Sequence, residues 1–74
     1  MKRESTTYRK KKYTCVLRTI SKQRANIMAH ALAVFFLDDY GEKDVVLVDR
    51  CVGGKADLYK VFVKEPYAKI IKNL

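Results

Sequence analysis

Tryptophan is absent from this chain, histidine and proline occur once each, and glycine only three times. So little Gly and Pro argues against a fibrous or disordered polypeptide, and a content of 49% apolar and 32% charged residues is that of a globular domain. Long apolar runs are missing too. The longest, Ile27 to Leu37, is broken by His30 and falls short of the roughly 20 residues that span a bilayer, so it reads as a core helix. The opening MKREST is followed by more charge instead of an apolar stretch, and no secretory signal peptide is expected. Cysteine is limited to Cys15 and Cys51, which form no C-x-x-C pair and have no histidines clustered beside them. Zinc and redox motifs are therefore unsupported, and two reduced thiols within strands are expected.

Acidic residues are scarce at one end. Residues 1–24 hold nine cations (Lys2, Arg3, Arg9, Lys10, Lys11, Lys12, Arg18, Lys22 and Arg24) against the single acid Glu4, whereas residues 25–74 hold seven of each sign. The first third thus carries the whole net charge of +8. Such asymmetry marks an arm for polyanions, nucleic acid first and anionic membrane second. Its densest part is YRKKKY, Tyr8 to Tyr13, where four consecutive cations lie between two aromatic rings. Each phosphate neutralised by Lys or Arg releases a condensed counterion, and each ring stacked on an exposed base adds about 1–3 kcal/mol, a combination suited to single strands. The plainer alternative is a solvated tail that keeps the protein soluble.

Beyond the basic segment the chain reads as alternating strands and helices. Tyr13 to Ile20, YTCVLRTI, alternates between two faces and is rich in β-branched residues, which predicts a strand. Ser21 is a good N-cap and Gly41 a good left-handed stop, so the segment between them predicts one helix of about five turns. Its large apolar side chains Ile27, Met28, Leu32, Val34, Phe35 and Phe36 cover an arc of roughly 200°, twice what one sheet needs. A second copy of the chain is the simplest extra cover. Asp44 to Val52 and Ala56 to Glu65 predict two antiparallel strands joined around Gly53-Gly54. On the later strand Tyr59, Val61 and Val63 suit the core, which leaves Lys60, Phe62 and Lys64 facing outwards. Pro66 followed by Tyr67, Ile70, Ile71 and Leu74 predicts a short closing helix. The expected fold class is α+β: a β-α-β-β-α domain over residues 13–74, with a three-stranded sheet packed on one long helix and a flexible basic arm at residues 1–12.

Catalytic chemistry finds little support. His30, the single histidine, has Ala and Asn for helix companions and no nucleophile near it in sequence, so a surface or dimer-contact role is expected. Gly53-Gly54-Lys55 lacks the earlier glycine and the Ser/Thr of a phosphate loop, and DDYGEKD lacks the spacing of a calcium loop. The helix does break an electrostatic rule at both ends, opening with Lys22 and Arg24 and closing with Asp38 and Asp39. With Arg18 nearby, its start is a second candidate seat for phosphate.

A single helix against three strands behind a dense basic arm resembles the compact RNA-binding and host-antagonist proteins of bacteriophages. Among these it is most similar in build to inhibitors of a host toxin-antitoxin endoribonuclease that act through shared RNA. YRKKKY, the Arg18/Lys22/Arg24 cluster and the element order carry that likeness. The expected activity is non-enzymatic nucleic-acid binding, RNA ahead of DNA, in the cytoplasm and as a homodimer. The alternative is a protein-interaction module that inhibits a host enzyme directly. The expected contacts are Tyr8, Arg9, Lys10, Lys11, Lys12, Tyr13, Arg18, Lys22 and Arg24, with Lys60, Phe62 and Lys64 secondary. No catalytic or metal-binding residue, cofactor or membrane partner is expected, and the likeness adds a host protein bound together with the RNA.

Overall fold

The computed structural model describes residues 4–52, 54 and 57–71. One long helix packs on a four-stranded antiparallel sheet, in the order β1 (Ser5–Tyr8), β2 (Lys11–Thr19), α1 (Lys22–Tyr40), β3 (Val46–Cys51) and β4 (Leu58–Lys64), followed by a 3-10 turn at Tyr67–Ile70. The spatial order of the sheet is β1-β2-β4-β3. The α+β class agrees with the sequence reading, whereas the count of three strands does not. The fourth strand is β1, drawn from residues that read as an arm. Its physical basis is short range: a two-residue turn, Arg9-Lys10, folds Ser5–Tyr8 back on β2 with Tyr8 opposite Lys11 and Ser5 opposite Thr14. STTY contains no charge and two β-branched residues, so it fits a pleated edge despite the cations on either side.

The helix boundaries agree with its caps. Ser21 Oγ accepts the Arg24 N–H at 3.1 Å. At the other end Gly41, at φ 67°, donates its N–H to the Leu37 carbonyl. The orientation of α1 differs from the arc expectation. The sheet takes Ala25, Ala29, Leu32 and Phe36, spaced four, three and four residues apart, while Ile27 and Val34 are 61% and 43% exposed. Small Ala25 and Ala29 occupy this face in the first turns, and Phe36 is its large, fully buried side chain nearer the other end.

The apolar core lies in two layers. Between helix and sheet are Val16, Ala25, Phe36, Val45, Val61 and Val63, closed below by Ala68 and Ile71. A β-bulge between Cys15 and Leu17 assists here, because the extra residue Val16 and its neighbour Leu17 both reach this layer. The opposite face buries Tyr13, Cys15 and Phe62 with Leu47 against them. Phe62, expected to face outwards, is 1% exposed. It does point away from the helix, but the edge strands β1 and β3 both line a cleft over it, formed by Thr6, Thr7, Tyr8, Leu47, Val48 and Asp49. The sheet is curled, so this face has an interior of its own.

The closing helix is reduced to a single 3-10 turn, since so few residues cannot repay helix nucleation. Ala68 within it and Ile71 just after it are buried, and Ile70 is exposed. Gly53, the Ala56 start of the last predicted strand and Leu74 lie outside the described residues. Both cysteines are free thiols, Cys15 buried and Cys51 half-buried. Phe62→Ala is expected to destabilise the fold by about 3–5 kcal/mol, comparable with the whole stability of a chain this short. Urea unfolding monitored by circular dichroism checks it, and a loss below about 1 kcal/mol would mean that the second layer is not packed.

Candidate nucleic-acid interface

Strand alternation splits the basic run that looks continuous in sequence. Tyr8 and Lys11 form one cross-strand pair and Thr6 and Tyr13 the next but one, all on the face away from the helix, while Thr7 and Lys12 pair on the helix side. Arg9 and Lys10 occupy the tip. Both have left-handed backbones, at φ 51° and 63°, as a two-residue type I′ turn requires. Asn-Gly meets that requirement cheaply, whereas a residue with a long side chain costs on the order of 1 kcal/mol or more at each position. Two cations are therefore held where the backbone least favours them.

Beside the tip lies a cleft of about 330 Å³ lined by Tyr8, Arg9, Lys11, Tyr13, Asp44, Val46, Leu47 and Lys64. Three cations face one acid across an apolar floor supplied by β3. The Arg9 guanidinium lies 5.2 Å from the centre of the Tyr8 ring. Tyr8 in turn meets Tyr13 edge to face, with ring centres 6.2 Å apart. The two tyrosines are not equivalent. Tyr13 is 3% exposed and donates its hydroxyl to the Asp44 carbonyl at 2.9 Å, so it is a wall of the cleft with no open face for a base. Burial first, and the Asp44 charge second, push its phenol above the ordinary value and keep it a hydrogen-bond donor. Tyr8 is 43% exposed and offers the open ring. Lys64 pairs with Tyr13 across the sheet and joins the cleft.

The second cluster is elsewhere. Arg18 lies seven residues along β2 from Lys11, roughly 24 Å at 3.4 Å per residue, and Lys22 and Arg24 follow it on the helix. Expected from sequence as a second seat for phosphate, this cluster is held by the sheet at the end of β2 away from the turn. At the far end Glu4 answers two cations at once, Arg18 at 2.5 Å and Lys60 at 2.7 Å. Phe62, buried between these ends, is packing and not contact surface. The apolar floor from Leu47 was invisible in sequence, because its place depends on the register of β3 against β4, which turns Leu47 to the Phe62 face and its neighbour Val46 to the helix side. Among the described residues no three His, Cys, Asp or Glu side chains gather as metal ligands, and no helix is long and apolar enough to cross a membrane. Comparison with protein-family models, curated proteins and solved structures gives no match to this chain.

The Glu4 pairing has a pH signature. The hydrogen bond from Lys60 is the largest influence and holds the Glu4 carboxyl below its ordinary value; desolvation opposes it, and the Lys60 and Arg18 charges add to the lowering. A depressed carboxyl contributes stability above its unfolded pKa of about 4.3, and that contribution fades as pH falls through the folded value. The same hydrogen bond raises Lys60, whose contribution persists until pH climbs past about 10. Glu4→Gln is thus expected to lower Tm slightly at neutral pH, the pairs being exposed, and to converge on the parent curve as the pH falls below the ordinary carboxylate range. Thermal unfolding across that pH range checks it, and parallel curves would mean that Glu4 is not paired.

Proposed function

We propose that this chain is a non-enzymatic binder of single-stranded nucleic acid, RNA ahead of DNA, acting through the hairpin tip and the cleft beside it. The observation that carries the reading is the strained cationic turn: Arg9 and Lys10 stand at left-handed positions next to one exposed ring, Tyr8, and beside Lys11 and Lys64. A sequence that gives up turn stability in order to hold charge at one spot is consistent with the charge having a use. Arg9, Lys10, Lys11 and Lys64 bind phosphates, and Tyr8 stacks on a base. Unstacked bases are the state in which an aromatic platform competes, and RNA loops and ends present them routinely. The Arg18, Lys22 and Arg24 end is an auxiliary contact, reduced by Glu4, for a strand long enough to run along β2. Inhibition of a host endoribonuclease toxin extends this reading and is supported by likeness of build alone. It is tested by adding the protein to such an enzyme with and without bound RNA.

Affinity for a labelled single-stranded oligonucleotide should fall steeply with salt. Replacing Lys10, Lys11 and Lys12 by Ala should flatten the log–log slope by about 0.7 for each phosphate no longer neutralised, and Lys11→Ala should matter more than Lys12→Ala because Lys11 faces the cleft. The double substitution Arg9→Asn with Lys10→Gly gives the sharper test. It should stabilise the fold by about 1–2 kcal/mol in urea while weakening binding and reducing the slope by about 1.4. Fluorescence anisotropy at several salt concentrations reads the binding, and urea unfolding reads the stability. A parent slope near zero, or a stabilised variant that binds as well as the parent, overturns the proposal.

A further inference from the structure

Helix α1 carries two stripes. One, Ala25, Ala29, Leu32 and Phe36, faces the sheet. The other repeats the same spacing two residues later, as Ile27, Ala31, Val34 and Asp38, so at 100° per residue it lies about 200° round the helix and faces away from the sheet. It is exposed throughout, and Ile27 and Val34 on it are branched apolar side chains 61% and 43% exposed. Arg24, Ala31 and Asp38 fall at intervals of seven residues and drift only about 20° per interval, so they mark one line along the outer surface. That line has a cation at one end, an acid at the other and a methyl group midway.

We infer that this face pairs with the same face of a second copy, antiparallel and about a two-fold axis beside Ala31. In an isologous pair each contact occurs twice, and the residue numbers in contact sum to nearly the same value. Centring on Ala31 brings Arg24 of one copy beside Asp38 of the other, twice. The same register sets Ile27 against Val34 on one flank and Met28 against Phe35 on the other. Ala31 meets its own counterpart at the crossing, where a small side chain permits axes about 8 Å apart. A parallel pair would instead put Arg24 beside Arg24 and Asp38 beside Asp38, opposing like charges at both ends. Charge order therefore selects the antiparallel arrangement, and the occupant is another copy because the surface is complementary to itself. One helix face, about 21 Å from Arg24 to Asp38, is small for an interface, so association is weak and reversible. The hairpin tip lies beyond the carboxyl end of α1, where Asp44 meets Tyr13. Antiparallel pairing then places the two clefts at opposite ends of the dimer, clear of the interface.

Sedimentation equilibrium without nucleic acid tests the pairing separately from the binding function. Arg24→Glu alone and Asp38→Arg alone should each weaken self-association by about tenfold, and combining them should restore it to about the parent value, since the ion pairs re-form with signs exchanged. Both positions are on the exposed face, and circular dichroism confirms folding. In parallel, Ala31→Cys should give a covalent dimer on mild oxidation, and Ala33→Cys, on another side of the helix, should not. A monomeric parent at millimolar concentration overturns the inference, as does a double variant no better than the weaker single one, or equal cross-linking at positions 31 and 33.

Discussion

One helix can cover only one face of a sheet, and this chain has no second helix with which to cover the other among its described residues. The rest of the structure follows from that shortage. The sheet curls until its edge strands approach each other, and Tyr13, Cys15 and Phe62 become an interior without any further element being added. Curling needs an edge strand on the β2 side, and Ser5–Tyr8 is what the chain has available. A basic segment that composition alone would leave in solvent is thereby tied into the fold by four cross-strand pairs and by the Cys15 N–H bonded to the Glu4 carbonyl. Charge at the tip is then held in fixed places instead of being spread over a tail, which is the difference between a general attraction for polyanions and a site with a shape.

Much of the fold was legible where local signals agree. Ser21 and Gly41 bound α1 as caps should, and β3 and β4 pair as the alternation of their residues implies. Legibility ended where distant parts of the chain decide the outcome. STTY is too short and too polar to announce itself as a strand, and only its return on β2 makes it one. Phe62 has the parity of an outward residue, which is correct with respect to the helix, but parity says nothing of a sheet that bends around its own outer face. Within the candidate site, the cations of YRKKKY were readable from charge, and the outward side of Lys64 from the alternation of its strand. Their division between faces, the closing of Tyr13 against Asp44 and the floor laid by Leu47 all required register.

Two departures from local preference share one character. The helix opens on Lys22 and Arg24 with no acid in its first turn and has no base in its last. The hairpin turn places Arg and Lys where Asn and Gly would be relaxed. The first costs about a few tenths of a kcal/mol per exposed charge, which a small domain tolerates without any functional reason. The second is larger, because left-handed backbone at two consecutive long side chains is opposed by sterics that salt does not screen. Magnitude therefore ranks the two basic ends: the turn is the stronger indication of use, and the helix start is the weaker.

Glu4 sharpens that ranking. It is the only acid among the first 24 residues, and it sits between Arg18 and Lys60, at the end of β2 away from the turn. Had it stood near Arg9 or Lys11 it would have cancelled part of the tip; placed where it is, it quietens the competing cluster and leaves the hairpin, among the described residues, as the larger group of cations without a salt bridge. Under the proposed function, a polyanion is accordingly drawn to that end first, through interactions that act over about 8–10 Å in physiological salt. At that end it meets an open tyrosine ring and a cleft with an apolar floor, which a phosphate chain alone does not need. The presence of that floor beside the charge favours a ligand with flat apolar faces as well as phosphates, and single-stranded nucleic acid has both.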